Sequence, residues 1–118
     1  MGDHVSWWLE VAVRPGQREE LKALVAEMIE STHAEARGTV YEWTISDDGG
    51  TVHAYERYAD SRAVVTHLAT FGEKFAERFL RAADPTRFVV HGTPDDEARE
   101  ALSAFGPSYM RPLGGFAR

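Results

Sequence analysis

The chain has 118 residues, a net charge of -6, 43% hydrophobic residues and no cysteine. That length suits one domain able to bury roughly two thirds of its unfolded surface, and the missing cysteines exclude disulfides, iron-sulfur clusters, thiolate zinc sites and a cysteine nucleophile. The acidic balance, with its basic residues scattered, leaves no electrostatic footprint for phosphate backbones, so nucleic acid is not an expected partner.

No apolar run has the length needed to cross a bilayer, and no charged start followed by an apolar core suggests a signal peptide; a cytoplasmic protein is expected. Met1 to Ser6 fits the loose myristoylation pattern, but so short a pattern matches often by chance. A first strand is read at Trp7 to Val13 (WWLEVAV), ended by Arg14-Pro15-Gly16, where proline removes a ladder donor and glycine permits a sharp reversal. From Gln17 to Ala36, apolar residues at Leu21, Leu24, Val25, Met28 and Ile29 form one helical stripe, with Glu19 and Glu20 in the favourable first turn.

Two β-rich limbs follow, Thr39 to Ser46 (TVYEWTIS) and Thr51 to Tyr58 (TVHAYERY), joined by Asp47-Asp48-Gly49-Gly50, and together they read as a hairpin. Asp60 is a natural cap for a helix beginning at Ser61, whose stripe of Val64, His67, Leu68, Phe71, Phe75 and Phe79 continues almost to Ala83 with a break expected at Gly72. Asp84-Pro85 should stop that helix, and Thr86 to His91 makes a fourth strand. Thr93 then caps a last helix with Pro94 at its first position. Gly106-Pro107 closes it and leaves Ser108 to Arg118 as an apolar tail suited to docking on a partner subunit.

The order strand, helix, strand, strand, helix, strand is the ferredoxin-like split βαβ plan of an α+β fold, with an antiparallel sheet and helices on one face. A single domain over residues 1-118 is expected, its core at about 5-92 and its helix-and-tail extension at 93-118. Tyr41, Trp43 and Ile45 fall on one strand face and Val40, Glu42 and Thr44 on the other; Val52, Ala54 and Tyr58 oppose His53, Tyr55 and Arg57. Neither face is cleanly polar, so the sheet is expected to be covered twice, by its own helices and by a second copy.

Three segments carry a family resemblance: Val13 to Leu21, where a strand meets a Pro-Gly turn and a helix; Glu56-Arg57-Tyr58-Ala59-Asp60 at the end of the hairpin; and Thr66-His67-Leu68 in the next helix. In this order the chain, from about Trp7 to Val90, resembles the antibiotic biosynthesis monooxygenase family of dimeric α/β barrels, quinol-monooxygenase-like members included. The resemblance implies a homodimer packed sheet against sheet, with a pocket between sheet and helices in each subunit. It also implies a cofactor-independent monooxygenase acting on a small electron-rich aromatic or quinol, with no cofactor and no metal. Haem degradation does not fit: the chain has no asparagine, His67 stands at the tryptophan position, and Glu77 falls where an iron ligand would.

For such chemistry the protein must supply a base, a counter-dipole and a dry apolar box. His67 is the natural base, its ordinary pKa near 6.5 lying close to working pH. Glu56 either fixes the His67 tautomer or pairs with Arg57 or Arg62, the pairing being the simpler expectation. Trp43, Tyr41, Tyr55 and Phe71 are the candidates to stack on a planar substrate. His53 and His91 lack a second ligand at metal spacing. The alternative is a non-catalytic module of the same fold that binds a small molecule or completes an oligomer.

Overall fold

A computed structural model describes residues 3-118; Gly2, on which the myristoylation pattern depends, lies outside them. Strands β1 (Val5–Val13), β2 (Val40–Ile45), β3 (Thr51–Tyr58), β4 (Ala83–His91) and β5 (Ser108–Met110) alternate with helices α1 (Arg18–His33), α2 (Ser61–Lys74), α3 (Ala76–Ala82) and α4 (Asp96–Ser103). The sheet order is β2-β3-β1-β4-β5, antiparallel throughout except that β5 runs parallel to β4. The ferredoxin-like α+β plan read from the sequence is the observed one, with β5 as an added edge that makes the sheet mixed.

Local chemistry sets the boundaries. At the hairpin, the Asp48 carboxylate accepts from the Ser46 hydroxyl (2.7 Å) and the Gly50 amide (2.8 Å), an Asx-type turn that fixes the register of β2 on β3. Asp60 accepts from the Ala63 amide at 2.8 Å to cap α2, and Asp95 does the same for α4 through Ala98 at 2.9 Å. The cap of α4 is therefore Asp95 and not Thr93, and Pro94 precedes the helix. The helical run after Asp60 breaks at Phe75 (φ -128°), not at Gly72. This offset lets Phe71 and Phe79 meet edge to face at 5.7 Å.

Asp84-Pro85 does not lie between helix and strand: α3 passes directly into β4 at the buried pair Ala82 and Ala83. Proline is accommodated beside a slip of the β1–β4 register between Glu10 and Val11, where Thr86 is left out of the pairing.

Pleating sends Val5, Trp7, Val11, Val52, Ala54, Glu56, Tyr58 and Val90 toward the helices, where they are buried. Two clusters result. Leu21, Leu24, Met28 and Phe79 pack on Val11 and Val52; Val64, Ala98 and Leu102 pack on Val5, Trp7, Tyr58 and Val90. The opposite sheet face carries Trp8, 49% exposed and stacked on Tyr55 at 4.9 Å, with the Glu10–His53 pair (3.2 Å) beside it.

Leu102 on α4 is fully buried, so the extension beyond the fourth strand belongs to the core. Leu102→Ala is expected to cost about 2–5 kcal/mol in chemical denaturation. A loss below about 1 kcal/mol would show α4 to be peripheral.

Candidate active site

Four side chains from three segments converge under the sheet. Glu56 and Tyr58 come from the helix-facing side of β3, His67 from the second turn of α2, and Glu35 from the connection just past α1. His67 is 6% exposed, with Nδ1 3.0 Å from Glu35 Oε1 and Nε2 3.3 Å from Glu56 Oε1. Tyr58 donates its hydroxyl to the same Glu56 oxygen at 2.6 Å. The imidazole is thus clamped between two carboxylates, with Tyr58, Tyr41 and Trp7 around it at ring-centroid distances of 4.8, 5.7 and 6.3 Å.

Burial alone would push the His67 pKa down. Its hydrogen bonds to Glu35 and Glu56, reinforced by their charges, outweigh burial and raise it to about 9. At neutral pH the ring is therefore an imidazolium donating from both nitrogens, and the aromatic rings around it suit a cation. Burial and the Glu56 charge push the Tyr58 and Tyr41 hydroxyls upward, so both stay protonated donors. Thr32 and Trp43 partly offset this at Tyr41, although the Trp43 indole N–H is buried without a hydrogen bond of good geometry.

Glu35 reaches the surface as part of the wall of an open recess of about 730 Å³ between the end of α1, the 34–39 connection and the start of β2, where Thr32 and Tyr41 also line it. Its second oxygen, Oε2, is shielded from water and has no hydrogen-bond partner. A buried acceptor of this kind is costly unless something donates to it. Gly38 (φ +84°) turns this connection with its backbone close to Ala59: a Cβ there would lie 3.2 Å from the Ala59 side chain.

The residues singled out in the sequence separate into two groups. His67, Glu56, Tyr41 and Trp43 share the helix-facing side, and Glu56 bonds His67 and Tyr58. The arginine pairing expected for Glu56 is absent among the described residues, because Arg57 alternates to the other face and meets His4 Nδ1 at 3.2 Å. Tyr55 lies on the opposite face against Trp8. Phe71 packs between Phe79 and Phe105, at 5.7 and 6.1 Å. Sequence reasoning missed Glu35 and the Tyr58 hydroxyl. Glu35 fell within the carboxyl end of a long helical reading, and no local pattern marks it. Tyr58 was legible only as a core aromatic. Among the described residues no three histidine or carboxylate side chains form a metal-binding group.

The clamp makes stability depend on pH. The folded pKa of about 9 exceeds the ordinary 6.5, so the contribution is complete below about pH 6.5 and is lost as pH rises through 9, up to about 3 kcal/mol in all. The melting temperature is expected to fall between pH 6.5 and 9.5 more steeply for the native chain than for His67→Gln. Parallel curves would contradict the clamp.

Comparison with known proteins bears on the fold and the family. The chain matches the structure of MupZ from Pseudomonas fluorescens at a TM-score of 0.84 and 25% identity, covering 99% of this chain and 96% of that one, so the likeness extends through α4 and β5. Rv0793 from Mycobacterium tuberculosis matches at TM-score 0.58 and 28% identity over 80% of this chain and 98% of its own. SnoaB from Streptomyces nogalater, a cofactor-independent oxygenase, shares the fold at TM-score 0.65 and 16% identity over 75% and 91%. No curated protein matches the sequence. The profile of one family, however, aligns with residues 8–84, from the first strand through α3 and so across His67 and both hairpin strands: the chain belongs to the antibiotic biosynthesis monooxygenase family.

Proposed function

We propose that the protein is a cofactor-independent monooxygenase in which the Glu35–His67–Glu56 cluster takes a proton from a small electron-rich substrate, an aromatic or a quinol, admitted at the 34–39 connection. The observation that carries this reading is the orphaned Glu35 Oε2 beside an open recess, backed by an imidazolium on its other oxygen. His67, with both nitrogens engaged and held cationic, positions the base and does not itself accept the substrate proton. Glu35 Oε2 is the acceptor, and the Tyr41 hydroxyl on the same recess steadies the developing oxyanion. The deprotonated substrate then gives electrons to dioxygen; at a CH₂ centre the balance is one dioxygen consumed, one carbonyl formed and one water released. Buried ionisable groups cost stability and cluster where chemistry needs them, which favours an enzyme over a purely binding module.

A second reading rests on the same acceptor and donor residues lining one recess: that pair also suffices for an oxygen-independent proton transfer such as enolisation. Oxygen uptake by metal-free protein with a panel of anthrones and naphthohydroquinols separates the two. Glu35→Gln is expected to lower kcat by about 10²–10⁴ with KM little changed. Product formed at equal rate without oxygen would favour the second reading. Absence of turnover, with the same compounds raising the melting temperature, would favour a binding module.

The proposed unit is a homodimer formed by the open sheet faces. Trp8 at 49% and Met110 at 53% exposure leave that face unsuited to water, and Leu113 and Phe116 in the segment beyond β5 are also exposed. Light scattering should give twice the chain mass, and Trp8→Glu should give a folded monomer. A monomeric native chain would overturn this assembly.

A further inference from the structure

A second recess lies along the same seam as the first. It has a volume of about 180 Å³ and is lined by Leu21, Lys22, Val25, Trp43, Ile45 and Arg18, among others, where α1 begins and β2 ends. The two recesses follow one another along it. Val25 of the second and Ile29 of the first are one helical turn apart on α1, and Trp43 and Tyr41 are consecutive inward residues of β2. The seam is bounded by an edge strand, and Ile29 and Ile45 stand on its two banks at 43% and 45% exposure.

Its ends differ in charge. The first recess mixes Glu35 and Glu42 with Arg37, while the charged residues lining the second are Arg18 and Lys22, in a chain of net charge -6. Arg18 donates to the Asp48 carbonyl at 3.2 Å, over the hairpin turn at Gly49, and its charge is felt by the exposed Asp48 carboxylate, a solvent-screened partner that a ligand anion can replace. Among the described residues Lys22 pairs with Glu19, at 3.7 Å in a solvent-exposed pair that is weak and readily exchanged. Midway, Trp43 lines the second recess, its buried indole N–H near the Tyr41 hydroxyl but without a hydrogen bond of good geometry. From Lys22 to Thr32 the helix rises about 15 Å.

We propose that this α1–β2 seam binds an elongated, mainly apolar, oxygen-bearing substrate whose far end is anionic. The reacting group meets Glu35 and the anion meets Arg18 and Lys22; an oxygen at mid-length accepts from Trp43. The proposal rests on the reading of Glu35 as the reacting end, and it extends the substrate class from a compact ring to an acid of about the seam's length. Such an occupant matches both the apolar banks and the cationic end, whereas a compact neutral ring would leave Arg18 and Lys22 unused.

Dodecanoate and its methyl ester are suitable probes, titrated by calorimetry and tryptophan fluorescence against the full chain. Dodecanoate is expected to bind at least about tenfold tighter than the ester, a difference of about 1.4 kcal/mol. Arg18→Glu/Lys22→Glu should abolish that preference while keeping the ester affinity, and Val25→Trp should weaken both ligands at least about tenfold. Ile29→Trp gives the same test should Val25→Trp unfold. Equal affinity for acid and ester, no binding at all, or binding indifferent to the tryptophan blocks would overturn the proposal. Failure of the Glu35 reading appears separately, as turnover that survives Glu35→Gln whatever the binding results.

Discussion

The site depends on a cation buried between two carboxylates. Taking an imidazolium out of water is expensive, and the cost is recovered only because each nitrogen has a carboxylate oxygen within 3.3 Å and aromatic rings surround it. Removing any one partner leaves the others buried without compensation. This interdependence ties β3, α2 and the end of α1 together through polar contacts at a point where the hydrophobic clusters meet.

The clamp also divides labour between the carboxylates. Glu56 receives both His67 and Tyr58 and lies deep in the sheet. Glu35 has one oxygen occupied and one unclaimed, and only Glu35 reaches the recess. Two chemically identical groups therefore have different parts because the backbone presents one from a strand interior and the other from a connection. The raised pKa of His67 keeps a positive charge behind Glu35, so the polarity of the site is fixed before any ligand arrives.

Much of this was legible in the chain. Period-two alternation placed Tyr41 and Trp43 on one face, and the stripe of α2 turned His67 toward them, because both signals follow from elements whose inward side must be apolar. What escaped was set by tertiary contact. Glu35 lies where a helix ends, and its partner is 32 positions away. Thr93 and Asp95 are both good caps, and the Ser61 hydroxyl that accepts the Asp95 amide at 2.9 Å belongs to another helix. β5 spans three residues and forms only because β4 presents an edge. Pro85 reads as a stop, yet a bulge accommodates it.

The direct passage of α3 into β4, with Ala82 and Ala83 both buried and no loop between them, bears on how such a chain can change over time. An inserted residue there would rotate the helix against the sheet and carry Phe79 away from Trp43 and Phe71. Beyond Glu35, residues 36–38 of the connection turned by Gly38 are exposed and less restricted. Length variation is thereby channelled past Glu35 to the lip of the recess, where it can reshape the opening while the clamp on His67 stays in place.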